Sequence, residues 1–78
     1  TITADYAELY AAYKSVESVV VAHWNEYSPP QQARLRTYRN QAQDLHGAFM
    51  NLIQAKENRA AVNAALELGL IAAQLSAV

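Results

Sequence analysis

A chain of 78 residues with a formal net charge of −1 has room for one domain and a modest hydrophobic core. The absence of cysteine excludes disulfides and thiolate metal sites and fits a reducing, cytoplasmic setting. Two glycines and two prolines supply too few turns for an all-β protein, and the near-neutral charge excludes a strong polyanion-binding footprint.

The first predicted element is a helix over residues 4–27. Ile2, Tyr6, Leu9, Tyr13, Val16, Val20, His23 and Tyr27 alternate steps of four and three, which places them on one helical stripe. Thr3 is the expected N-cap, with Asp5 and Glu8 in the first turns, where negative charge suits the helix dipole. Ser28-Pro29-Pro30-Gln31 then reads as a stop followed by a start. Proline drives the residue before it out of helical geometry, and Ser28 with Gln31 forms a capping box for the next helix.

The second helix is expected over residues 29–57, with its stripe at Leu35, Tyr38, Ala42, Leu45, Phe49 and Leu52. Reversed, this spacing mirrors the first helix, so the pair reads as an antiparallel hairpin. The expected layers are His23/Leu35, Val20/Tyr38, Val16/Ala42, Tyr13/Leu45, Leu9/Phe49 and Tyr6/Leu52. Glu17 then faces Arg39, and Glu26 lies near Arg34. Gly47, inside the second helix, permits a close backbone approach or is simply tolerated.

A third helix is expected over residues 59–76, with Asn58 ending one helix or capping the next. Its apolar residues Val62, Leu66, Leu68, Leu70, Ile71 and Leu75 leave only a thin polar stripe of Asn63, Glu67 and Gln74. Such a helix must bury most of its circumference. The hairpin flank carrying Ala12, Val19, Ala48 and Ala55 offers it a shallow groove. The other flank carries the bulkier Tyr10, Trp24, His46 and Ile53. The expected fold is therefore an all-α, three-helix, up-down-up bundle built on an antiparallel hairpin, a single domain over residues 1–78. The competing topology runs the second and third helices together as one rod of about 70 Å in an oligomeric coiled coil.

Catalytic chemistry finds little support. Ser15, Ser18, Ser28 and Ser76 lack a base in the expected geometry, and paired carboxylates are missing. His23 and Glu26 share a face, but a bundle metal site needs several such groups, so no catalytic, cofactor or metal residues are assigned. No basic segment followed by an apolar core marks a secretory signal. Residues 60–78 are about long enough to cross a bilayer, but Glu67 falls near their middle, so no membrane span is expected.

The expected function is a non-catalytic protein–protein interaction or assembly module, an accessory of the regulatory kind also found in phages. Tyr10, Trp24, Arg39 and His46 form the expected partner-docking patch, since aromatics beside arginine concentrate binding energy. Val62, Leu66, Leu70 and Ile71 are the expected contact of a homo-oligomer. The alternative is a small nucleic-acid-binding regulator using the segment Arg34–Gln43, with Arg36, Arg39 and Gln43 as contacts. Charge is segregated: residues 1–28 hold Asp5, Glu8, Glu17 and Glu26 against Lys14, while residues 29–57 hold Arg34, Arg36, Arg39 and Lys56 against Asp44 and Glu57.

Overall fold

The structure, a computed structural model, describes residues 1–78. Three helices follow in order, α1 (Ile2–Ala22), α2 (Pro29–Gln54) and α3 (Asn58–Ala77), with one 3₁₀ turn at Trp24–Glu26. This is the expected all-α, up-down-up bundle. Its long axis of 42 Å matches α2 alone, about 39 Å for its 26 residues, and excludes a continuous α2–α3 rod.

Local chemistry explains each boundary. The Thr1 hydroxyl accepts the Ala4 N–H, so the cap is Thr1 rather than Thr3 and the helix begins at Ile2. At its other end α1 stops at Ala22, short of the expected Tyr27. His23 leaves helical geometry (φ −110°, ψ 19°) and the chain tightens into the 3₁₀ turn. His23, Trp24 and Asn25 are weak helix formers, so the helix yields before the prolines force it to. Tyr27 is already extended, and the capping box follows as expected: the Ser28 hydroxyl accepts from Gln31 N–H, and the Gln31 side chain accepts from Ser28 N–H at 2.9 Å.

α2 ends at Gln54 rather than near Glu57, in a Schellman turn. Glu57 N–H donates to Leu52 O at 2.9 Å and Lys56 N–H to Ile53 O at 3.1 Å. That turn places Lys56 in the left-handed region, at φ 59°, where glycine is the usual occupant. Asn58 is the first residue of α3 and neither ends α2 nor caps α3; the cap position belongs to Glu57, whose side chain makes no capping bond.

The twelve buried residues form one cluster, and α3 supplies half of them: Ala61, Ala64, Ala65, Leu68, Ile71 and Leu75. Tyr6, Tyr13 and Val20 come from α1; Leu35, Ala42 and Phe49 come from α2. The alanines let α3 approach both other helices closely, whereas α1 and α2 meet through long side chains. The hairpin register therefore differs from the expected layers. Tyr6, expected opposite Leu52, stacks on Phe49 (ring centroids 3.7 Å apart), and Leu9, expected opposite Phe49, lies close to Gly69 of α3. Glu17 does reach Arg39, whereas Glu26 pairs with His23 instead of Arg34. His23 is consequently exposed and does not close the seam.

α3 occupies the expected side of the hairpin, but one row closer to its centre. Half-buried Leu9, Val16, Leu45 and Leu52 flank it, while Ala12, Val19, Ala48 and Ala55 stay exposed at the rim. The difference follows from the aromatic seam, which holds α1 and α2 far enough apart for α3 to settle between them.

Two backbone positions test this account. A methyl at Gly47 would meet nothing within 4 Å, so the glycine has no close-approach role. Gly47→Ala should stabilise the fold by about 1 kcal/mol. Lys56→Gly should stabilise it by about 0.5–1 kcal/mol, because relief of the left-handed strain exceeds the entropy that glycine adds to the unfolded chain. Urea denaturation followed by circular dichroism measures both; a loss of stability in Lys56→Gly would contradict the Schellman geometry.

Candidate functional site

On the face of the hairpin away from α3, the spacing between α1 and α2 leaves a polar cleft of about 290 Å³. α1 contributes Tyr10, Tyr13, Lys14 and Glu17, and α2 contributes Arg36, Arg39, Asn40 and Gln43. These positions recur at three- and four-residue intervals beside the buried stripe of each helix, which is why they line one trough.

Glu17 organises the cleft. Its carboxylate accepts from Lys14 Nζ at 2.8 Å, from the Tyr13 hydroxyl at 3.0 Å and from Arg39 Nε at 3.4 Å. Partial burial alone would push its pKa up, but the bonds from Lys14 and Tyr13, with Arg39 behind them, outweigh that and hold the carboxyl below its usual range. The bond to Glu17 raises Lys14 in turn. Tyr13 is raised by burial first and by the neighbouring carboxylate second, so its hydroxyl stays protonated and donating.

Aromatic contacts close both ends. At one end Tyr10 stacks on His46 (centroids 4.2 Å), and His46 lies on Tyr6, whose hydroxyl is 2.7 Å from its Nδ1. Burial, with Tyr10 nearby, pushes the Tyr6 hydroxyl up to about 12. At the other end the Arg36 guanidinium lies 5.4 Å above the Trp24 ring. The 3₁₀ turn fixes Trp24 there, its carbonyl accepting from Gln32 Nε2 at 2.9 Å.

The structure splits the four expected docking residues: Tyr10 contacts His46 at one end of the cleft and Arg39 lies in its wall, whereas Trp24 sits at the far end against Arg36 and touches none of the other three rings or cations of the expected patch. Arg36, Arg39 and Gln43, the expected nucleic-acid contacts, line the same cleft, while Arg34 lies outside it. Tyr10 and Trp24 are half-buried and already engaged by neighbouring rings or guanidinium, so they frame the cleft rather than project from it. Asn40 falls within the expected Arg34–Gln43 segment, whereas Lys14 and Glu17 carry no site role in the sequence reading. Their signal was a second, polar stripe (Tyr10, Lys14, Glu17) running beside the apolar one.

On the opposite side, Val62, Leu66 and Leu70 are exposed on α3, at 40%, 66% and 59% of their full area. Ile71 does not join them. It is only 4% exposed and belongs to the core, because it falls on the inner arc with Leu68 and Leu75. His23 and Glu26 form a pair, but no third carboxylate or imidazole joins it to hold a metal ion.

Comparison with known proteins yields no relative. No family model matches the chain, and neither a curated protein nor a solved structure matches it.

The Glu17 network makes stability depend on pH. A carboxyl whose folded pKa is depressed contributes stability above its ordinary value, near 4.5, and loses it as pH falls through the folded value. Glu17→Gln should therefore melt below wild type at about pH 7, with the gap closing between about pH 5 and pH 3. Thermal melts across that range measure it; a gap independent of pH would assign Glu17 a packing role instead.

Proposed function

We propose that the chain is a non-catalytic protein–protein interaction and assembly module that associates with a second copy of itself through α3. The observation that carries this reading is the apolar stripe of Val62, Leu66 and Leu70, left in solvent on a helix whose inner face is already filled. The stripe is aliphatic from Val62 to Leu70, with exposed Arg59 one turn before it on the same line. A two-fold pairing of one α3 with another matches leucine to leucine. A bundle with 12 of 78 residues buried also gains much from such a contact, since small domains bury too little apolar surface alone.

Two observations support a non-catalytic reading. The one hydroxyl–imidazole pair, Tyr6 with His46, joins a phenol with pKa about 12 to a ring stacked against Tyr10, which is poor equipment for proton transfer at neutral pH. Ser28 is committed to its cap, and the Ser15 hydroxyl donates to Ala11 O. α3 has the length and mean hydropathy, 20 residues and 1.4, of a membrane span. A core role fits it better: half of the bundle's buried residues lie on it, and Glu67 near its middle would meet the bilayer centre.

Light scattering over a wide concentration range tests the proposal. Wild type should form a dimer or larger species whose share rises with concentration. The double variant Leu66→Glu/Leu70→Glu should be monomeric with unchanged helicity, since both positions are exposed. A wild-type protein that stays monomeric throughout would remove α3 as an interface.

A further inference from the structure

We infer that the cleft between α1 and α2 is a docking site for an acidic, carboxylate-rich segment of a partner protein. The inference rests on the reading of the chain as an interaction module, but not on α3, which contributes nothing to the cleft. Three cations, Lys14, Arg36 and Arg39, stand around a single carboxylate in a chain whose total charge is negative. That carboxylate, Glu17, is already engaged by Lys14, Tyr13 and Arg39, so it does not neutralise Arg36.

Arg36 has no acidic partner. Its guanidinium lies over the Trp24 ring, 5.4 Å from the centroid, and takes no part in the ion pairs of the cleft. An unpaired guanidinium presents the two-pronged donor pair that carboxylates match. Asn40 and Gln43 add neutral donors along the same wall. Arg39 approaches Glu17 through Nε, at a long 3.4 Å, which leaves its terminal nitrogens available to a second carboxylate.

The same cations would attract nucleic acid, but the rest of the cleft does not suit it. Single strands are held by aromatic faces on which bases stack. Here Tyr10 is covered by His46 and Trp24 by Arg36. A cleft of about 290 Å³ accommodates one or two carboxylate side chains rather than a track of phosphates. Rigid helices on both sides, tied by the Glu17 network, hold this geometry before any partner arrives, which lowers the ordering cost of binding.

The test titrates the full chain with blocked tetraglutamate at low salt, following heat by calorimetry and the emission of Trp24, the chain's one tryptophan. Saturable binding that weakens with added salt is expected. Arg36→Gln and Lys14→Gln, both at exposed positions and expected to keep wild-type helicity, should each weaken it by about tenfold. Absence of saturable binding, or equal binding by these variants, would overturn the inference. So would tighter binding of an oligothymidylate, which would return the cleft to nucleic acid, or of free glutarate, which would make it a small-anion site. Light scattering on the same samples separates the two proposals. Self-association without tetraglutamate binding refutes the cleft alone; tetraglutamate binding by a monomer refutes the α3 interface alone.

Discussion

The seating of the small face of α3 against the aromatic seam is the contact on which the rest of the structure depends. Ala61, Ala64 and Ala65 bring one helical backbone close to two others, and Leu68 fills the centre with no exposed area. Large residues on the hairpin and small ones on α3 interdigitate as close packing requires. The arrangement has two consequences on opposite faces. With its inner arc consumed by the core, α3 must carry its surplus leucines outside. With α3 between them on one side, α1 and α2 part on the other and leave a gap bridged by long side chains, aromatic at one end and polar in the middle.

That gap explains why the polar cluster has the composition it has. Glu17 is sheltered but not sealed, a place where a lone carboxylate would be unfavourable and a hydrogen-bonded one is stable. Three donors converge on it, Lys14 and Tyr13 from its own helix and Arg39 from α2, and the last of these ties α1 to α2. Exposed ion pairs contribute little individually. The contact between Arg39 and Glu17 differs in joining residues far apart in sequence, which fixes the relative placement of two helices rather than reinforcing one.

Much of the fold was legible because the signals were local. The four-and-three spacing gave two helices, and the Ser28–Gln31 capping box marked the start of α2 to the residue. The side of the hairpin taken by α3 was legible, but the small residues expected to seat it, Ala12, Val19, Ala48 and Ala55, stay exposed while Leu9, Val16, Leu45 and Leu52 flank it. Register was not legible, because it is set by how deeply α3 inserts, and that depends on ring volumes at Tyr6 and Phe49 together with the alanines opposite. The same insertion moved Ile71 from the expected interface into the core. The early end of α1 was hidden by its stripe, since His23 and Tyr27 continue the spacing while His23, Trp24 and Asn25 lack helix propensity. Lys56 in a left-handed turn gave no signal at all, because glycine is the residue by which such a turn is normally recognised. Of the cleft, the aromatic and arginine members were visible as a patch. Lys14 and Glu17 read only as surface charge until the hairpin brought Arg39 against them.

The placement of the two surfaces carries a geometric consequence for assembly. The stripe lies on the outer arc of α3, and the cleft lies on the far side of the hairpin, so a pair joined through α3 directs its two clefts outward and away from each other. Each bundle is only 18 × 15 Å across its short axes, so the clefts of such a pair stand a few tens of ångströms apart. In the proposed pair, two acidic segments carried on a single partner would engage both clefts together and gain from effective concentration without any new contact. A monomer with the same cleft has no such gain. If both proposals hold, the core that separates the outer leucines of α3 from the cations of the hairpin sets the spacing between the two clefts of a pair.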